Sequence, residues 1–279
     1  MLTKTEMLAV MRRHNFYAKK RFAQNFLIDK NLAQKILASV NIGQKDVVLE
    51  IGPGFGILTE GLANSSKEVI AVEIDKVLCD ILSESLTRYS NLKIINKDIL
   101  QFDIPDLPSG AALKIVGNLP YYITTPILTW MFKYRGLIRG AFITIQKEMA
   151  RRLVAAPGRR EYGPLSCYVQ FYTLPRLIMN INRNAFFPVP EVDSSMVALE
   201  FLKKPAVDVK DESLFFKVVH AGFQQRRKTL FNALANSAEM SLSKDEVSAI
   251  LKKCGIDPKR RAETLSLDEF AKIANGMPN

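Results

Sequence analysis

The sequence predicts an α/β protein, a parallel sheet covered on both faces, followed by a small all-helical domain. Three observations carry this. Short apolar runs alternate with helical patterns through the first half of the 279 residues, the signature of crossover-connected parallel strands. The runs are nearly continuous in Val, Ile and Leu, as strands buried on both faces require. After Lys203-Lys204-Pro205 only helical patterns remain.

In chain order, the strand-like runs are Val47–Ile51, Glu68–Ile74, Leu92–Asn96, Leu113–Val116 and Ala141–Ile145. Leu32, Ile36 and Val40 recur at helical spacing, with Asp29 placed to cap the helix. Val77, Leu78, Ile81, Leu82 and Leu86 mark one face of a helix after the second strand. Further strands are expected at Cys167–Tyr172, Arg176–Ile181 and Ser195–Phe201, and helices at Leu214–Leu234, Lys244–Cys254 and Leu267–Asn275. The change of pattern divides the chain into an α/β domain, 1–205, with a basic N-terminal arm, and a helical domain, 206–279.

Composition narrows the function classes. Thirty-nine Lys and Arg against 28 Asp and Glu give a net charge of +11. Such an excess suits a polyanionic partner, because each phosphate neutralised releases condensed counterions. The uncharged stretch Ile115–Phe132 is long enough to be weighed as a membrane span, but Pro120 and Pro126 would break its hydrogen-bond ladder in lipid. It reads instead as a buried strand, a loop and the start of a helix, so no membrane partner is expected. Residues 1–21 are basic with one acid, Glu6, as in organelle transit peptides; a motif that begins almost at once argues against that reading. Cys79, Cys167 and Cys254 are scattered singly, which suits a reducing cytoplasm. Two histidines exclude a histidine-rich metal site, and no metal is expected.

The segment Glu50-Ile51-Gly52-Pro53-Gly54-Phe55-Gly56 follows the first strand and opens a helix. Glycine there permits a close ligand approach that a Cβ forbids; a plain tight turn is the rival. Glu73 ends the next strand roughly 20 residues on, where an acid can accept both hydroxyls of a ribose. Asp98 ends the third strand and Asn118 the fourth. Polar groups at successive strand ends face the crevice where open α/β sheets bind ligands. The spacing G-x-G-x-G, with an acid in front, disfavours a pyrophosphate and suits the cationic end of S-adenosylmethionine.

Asn118-Leu119-Pro120-Tyr121 supplies the acceptor half. An adenine N6 lone pair is delocalised into its ring, so the amine is a poor nucleophile. Two acceptors, the Asn118 side-chain oxygen and the Pro120 or neighbouring backbone carbonyl, can hold both N–H groups and aim the lone pair at a methyl group. Pro120 shapes the loop, and Tyr121 offers a face on which an extruded base can stack.

Glycine loop, Glu73, Asp98 and Asn-Leu-Pro-Tyr in this order resemble the rRNA adenine N6-dimethyltransferase family, over nearly the whole chain. The resemblance implies a Rossmann-like S-adenosylmethionine-dependent methyltransferase sheet with a C-terminal helical RNA-binding domain. Lys20-Arg21-Phe22-Ala23-Gln24-Asn25-Phe26-Leu27 is similar to the family's Q-N-F-L segment, which implies Asn25 and Leu27 as cofactor contacts beside Gly52, Gly54, Glu73, Asp98 and Asn118. Phe186-Phe187-Pro188-Val189-Pro190-Glu191-Val192-Asp193-Ser194 is similar to its F-x-P-x-P-x-V-x-S loop. That match implies Phe186 as a second aromatic wall opposite Tyr121, with Phe187 the alternative. Phe223-Gln224-Gln225-Arg226-Arg227-Lys228 resembles the housekeeping, small-subunit branch rather than the large-subunit resistance branch. Departures are Gln224 for Asn and Tyr122 where bacterial members often have Asn. The implied partner is small-subunit rRNA in an immature 30S particle; a monomer in the cytoplasm is the expected state.

Overall fold

The computed structural model describes residues 3–19, 22–104, 112–225 and 227–277. Lys20, Arg21 and Arg226 of the motifs above lie outside the described residues. By internal contacts the chain forms two units, Met1–Ala150 with Arg176–Phe201, and Arg151–Pro175 with Leu202–Asn279.

In the first unit, helix α1 (Lys4–Arg13) precedes the short strand β1 (Phe26–Leu27) and α2 (Lys30–Val40). Asp29 caps α2 by accepting the Leu32 N–H at 3.0 Å. Then follow β2 (Asp46–Ile51), α3 (Thr59–Ser65), β3 (Glu68–Glu73), α4 (Lys76–Ser85), β4 (Leu92–Asn96), β5 (Ala112–Asn118), α5 (Thr124–Lys133), β6 (Ile138–Gln146) and α6 (Lys147–Val154), whose residues from Arg151 on belong to the second unit. The Ile115–Phe132 stretch thus becomes the end of β5, a 3-10 turn at Tyr121–Ile123 and most of α5. Among the described residues no helix is long and apolar enough to cross a membrane.

Helix α7 (Pro164–Tyr172) leads to β7 (Thr173–Ile181), β8 (Phe186–Phe187) and β9 (Ser194–Phe201). The main sheet runs β4-β3-β2-β5-β6-β9-β7 among the described residues. Strands β4, β3, β2, β5 and β6 are parallel, and β9 returns antiparallel to β6. Every residue of β2 is buried, which explains the apolar Val47-Val48-Leu49 at its centre. Strand order reverses between β2 and β5, so their C-terminal ends border the crevice that such reversals open.

One strand expectation fails here for a physical reason. Cys167–Tyr172 is helical: Pro164 at the first helical position has its φ preset, and Ser166, Val169 and Tyr172 bury a face at three-residue spacing. A short apolar run does not by itself separate strand from buried helix. The segment Arg151–Pro175 also groups with the helical unit, although the sequence boundary at 205 assigns it to the sheet.

In that second unit α8 (Glu212–Gln224), α9 (Leu230–Ala235), α10 (Lys244–Lys253) and α11 (Leu267–Gly276) follow. The expected single helix Leu214–Leu234 is two, because Thr229 turns its hydroxyl to the Asn232 N–H and starts α9 afresh. Phe171 stacks on Phe215 at 4.8 Å, anchoring α7 to α8.

Strand β8 pairs antiparallel with β1, Leu27 opposite Phe186 and Phe26 opposite Phe187. Phe186 is 1% exposed and packs in the core cluster with Leu27, Ile36, Val116 and Met196. The expectation of Phe186 as an open aromatic wall is therefore not met; its ring is spent on holding β1 to the sheet. Phe186→Ala is expected to lower unfolding free energy by about 3–5 kcal/mol, as loss of a buried ring does. Denaturant titration checks this; unchanged stability with lost turnover would instead restore the wall.

Candidate active site

The crevice at the strand ends is lined by residues from the arm, the glycine loop and the ends of β3, β4 and β5. Asn25, Leu27, Gly52, Gly54, Glu73, Asp98, Asn118, Pro120 and Tyr121 all border it. Of the site residues expected from sequence, Phe186 and its alternative Phe187 lie outside that lining.

The glycine loop has φ of +67° at Gly52 and +57° at Gly54, a backbone region that a Cβ strains. A Cβ on Gly54 would also meet the Phe26 ring at 2.9 Å. The loop can therefore bend under the cavity only with glycine at these positions.

Glu73, 5% exposed, accepts the Gly54 N–H at 3.2 Å on one oxygen and the Asp75 N–H at 3.0 Å on the other. Each oxygen retains a lone pair, so the carboxylate can still receive two hydroxyls. Burial pushes its pKa up to about 7, against the lowering effect of those two N–H donors. Glu50 is more deeply placed, 2% exposed, and its Oε2 has no hydrogen-bond partner among the described residues. Burial raises it to about 8, with the Glu73 charge adding to the rise. A buried carboxylate without a partner is costly unless a cation or donor arrives. One carboxylate oxygen without a partner, beside a second buried carboxylate with lone pairs to spare, fits a ligand that carries a positive charge and a ribose, as S-adenosylmethionine does. Asp98 is half-buried and spends Oδ1 on the Leu100 N–H at 2.9 Å, capping the turn that follows β4.

Asn118 closes β5 and donates its Nδ2–H to the Asn25 carbonyl at 2.8 Å. The Pro120 carbonyl accepts both the Ile123 N–H at 3.2 Å and the Thr124 hydroxyl at 3.3 Å. Both of its lone pairs are engaged within the turn, so this carbonyl has none to spare for a further donor. Tyr121 is pinned by a 2.7 Å hydrogen bond between its hydroxyl and Ser194, and burial raises its pKa. Tyr122, 57% exposed, stands at the cavity mouth. Sequence reasoning noted it only as a departure from the family pattern.

The second unit carries its own basic basin, lined by Gly158, Arg159, Arg160, Arg227, Arg261 and Glu263. The Gly158 N–H donates to the Glu263 carbonyl at 2.7 Å and closes the turn that presents Arg159 and Arg160. Neighbours in sequence have separate tasks here. Arg260 pairs with Glu269 inside the unit, while Arg261 is exposed at the basin.

The ribosomal RNA adenine dimethylase family model matches residues 15–278. Ribosomal RNA small subunit methyltransferase A of Bacillus mycoides (strain KBAB4) is 45% identical over 274 residues, covering 96% of this chain and 94% of that protein. The same protein of Bacillus cereus (strain AH187) has the same identity and coverage. Among solved structures, a dimethyladenosine transferase from Plasmodium falciparum superposes with a TM-score of 0.76 at 25% identity, covering 89% of this chain and 95% of that one. The 23S rRNA methyltransferase ErmE does so with a TM-score of 0.73 at 25% identity, covering 90% and 99%. A match from residue 15 to residue 278, spanning both units, makes the assignment plain: the chain belongs to the ribosomal RNA adenine dimethylase family.

Proposed function

We propose that this protein dimethylates N6 of two adjacent adenosines in a loop near the 3′ end of small-subunit rRNA, acting on immature 30S particles in the cytoplasm. The observation that carries the reading is Asn118, whose amide stands at the crevice beside Gly52 and Glu73 with its NH2 end already engaged by Asn25. S-adenosylmethionine, the cofactor of this family, supplies a methyl group on a sulfonium. Glu73 receives its ribose hydroxyls, Glu50 offsets its positive charge, and Asp98 and Leu27 border its base. The Asn118 Oδ1 and the Leu119 carbonyl accept the two N–H bonds of the target amine, which turns the nitrogen lone pair towards the methyl group. Tyr121, held by Ser194, gives the extruded adenine a face to stack on.

The small-subunit target rests on the 45% identity to small-subunit enzymes, against 25% to the large-subunit enzyme ErmE. Basic groups of the second unit supply phosphate contacts. Mass spectrometry of small-subunit rRNA after reaction tests the whole reading; label confined to large-subunit RNA would replace it with the resistance-type activity.

Asn118→Ala is expected to keep RNA affinity and to lose roughly ten- to a hundredfold or more in turnover, the worth of polar contacts made in the transition state. Filter binding beside labelled-methyl transfer separates the two. Arg261→Ala is expected to weaken RNA binding and to reduce the slope of log affinity against log salt by about 1, as loss of one phosphate contact does.

The pH dependence follows from Glu73 and Glu50. Their folded pKa values, about 7 and about 8, lie above the ordinary carboxylate value. In the cofactor-free fold they hold protons that they lose as pH rises through that window. Their stabilising contribution is full below the unfolded carboxylate pKa and is lost progressively as pH rises from there through the folded values. A cationic, ribose-bearing ligand needs the charged forms. Thermal stabilisation by S-adenosylmethionine is therefore expected to grow from about pH 6 to about pH 8.5. Differential scanning calorimetry at a series of pH values reads it, and a flat profile would count against both assignments.

A further inference from the structure

The arm between α1 and β1 is tied down at a point remote in sequence from the acceptor residues. The two Asp75 side-chain oxygens accept from Lys19 Nζ at 2.9 and 2.8 Å, and one of them from Gln24 Nε2 at 3.2 Å. Gln24 in turn accepts the Lys19 backbone N–H at 2.8 Å, so the two arm residues brace each other. Asp75 is 2% exposed; its charge is satisfied by this pair and by the Val77 N–H at 3.2 Å. Below the clamp, Phe16, Phe26 and Phe55 meet edge to face with centroids 4.7 to 5.9 Å apart, fastening the arm to the glycine loop. Between clamp and aromatic cluster the backbone is forced: Ala23 has φ +45°, an uncommon conformation for a residue with a Cβ. The Asn25 side chain ties back to the Ala23 carbonyl at 3.0 Å.

This tightly held turn aims one group at the acceptor site, the Asn25 carbonyl, 2.8 Å from Asn118 Nδ2. A carbonyl only accepts, so it selects the NH2 end of the Asn118 amide and repels the oxygen end. The amide can therefore present only Oδ1 to the target amine. A flipped or freely rotating amide would offer donors where an acceptor is required.

Resting on the adenine N6 reading above, we propose that Lys19 and Gln24 are positioning residues for methyl transfer. By clamping Asp75 they hold the Asn25 carbonyl against Asn118 and so fix the direction of the Asn118 acceptor oxygen. They touch neither substrate; their effect passes through one backbone carbonyl.

Single-turnover methyl transfer at saturating S-adenosylmethionine and small-subunit particles tests this. Lys19→Met and Gln24→Ala are each expected to slow transfer about ten- to a hundredfold, with the KM for RNA within about twofold and Lys19→Arg close to the unaltered rate. In an Asn118→Ala background the same Lys19→Met change is expected to cost less than about twofold, because the group it positions is gone. An unaltered rate in Lys19→Met, or a full second loss on top of Asn118→Ala, overturns the proposal. Gln24→Ala leaves the ion pair in place and decides the matter if Lys19→Met does not fold. NMR of the protein without RNA keeps the proposal separate from the activity: the Asn118 side-chain NH2 signals, assigned by their loss in Asn118→Ala, should exchange with solvent about tenfold faster in the clamp variants. Unchanged exchange overturns the clamp. An unaltered protein that fails to methylate small-subunit RNA, with faster exchange in the variants, overturns the adenosine reading alone.

Discussion

Strands β2 and β5 lie side by side, yet the chain continues from them towards opposite edges of the sheet: β3 and β4 lie beyond β2, β6 and β9 beyond β5. No crossover can fill the space above both ends at once, and a crevice opens there. The register sets Ile51 beside Gly117, so Gly52 and Asn118 emerge as neighbours on its floor. Glu73 emerges one strand further out, since Ile51 pairs with Val72. Glycine loop and Asn118, remote in sequence, are thus brought together by strand order alone.

The crevice is held in a state that favours occupation. Glu50 and Glu73 are both buried, and one Glu50 oxygen has no hydrogen-bond partner among the described residues. Burial of that kind lowers stability unless the charge is neutralised or met. On the proposed reading, the cavity sets aside some fold stability in exchange for affinity towards a cationic nucleoside. The arm offsets part of this by satisfying the third acid of the cluster, Asp75, through Lys19 and Gln24.

The basic surface shows the same division between support and function. A run such as Lys259-Arg260-Arg261 looks uniform in sequence. Folding turns Arg260 inward to Glu269 and leaves Arg261 at a basin shared with Arg159, Arg160 and Arg227. Charge count predicted a phosphate-binding chain; side-chain direction selects which charges are available to it.

The sequence by itself determined the parallel sheet, the glycine loop and the acids at strand ends, because these depend on local periodicity and on residue types with few alternatives. Gly52, Gly54, Glu73, Asp98, Asn118, Pro120 and Tyr121 were legible for that reason, Asn25 and Leu27 only through the family resemblance, and the structure gathers all of them on one cavity. What depended on long-range pairing was not legible. Phe186 looks like an open aromatic until β8 pairs with β1 and turns its ring into the core. Cys167–Tyr172 looks like a strand until Pro164 starts a helix there. The Pro120 carbonyl looks available until the turn after it occupies both lone pairs. Residue type states what a group can do; only tertiary structure decides which of its hydrogen bonds and faces remain free to do it.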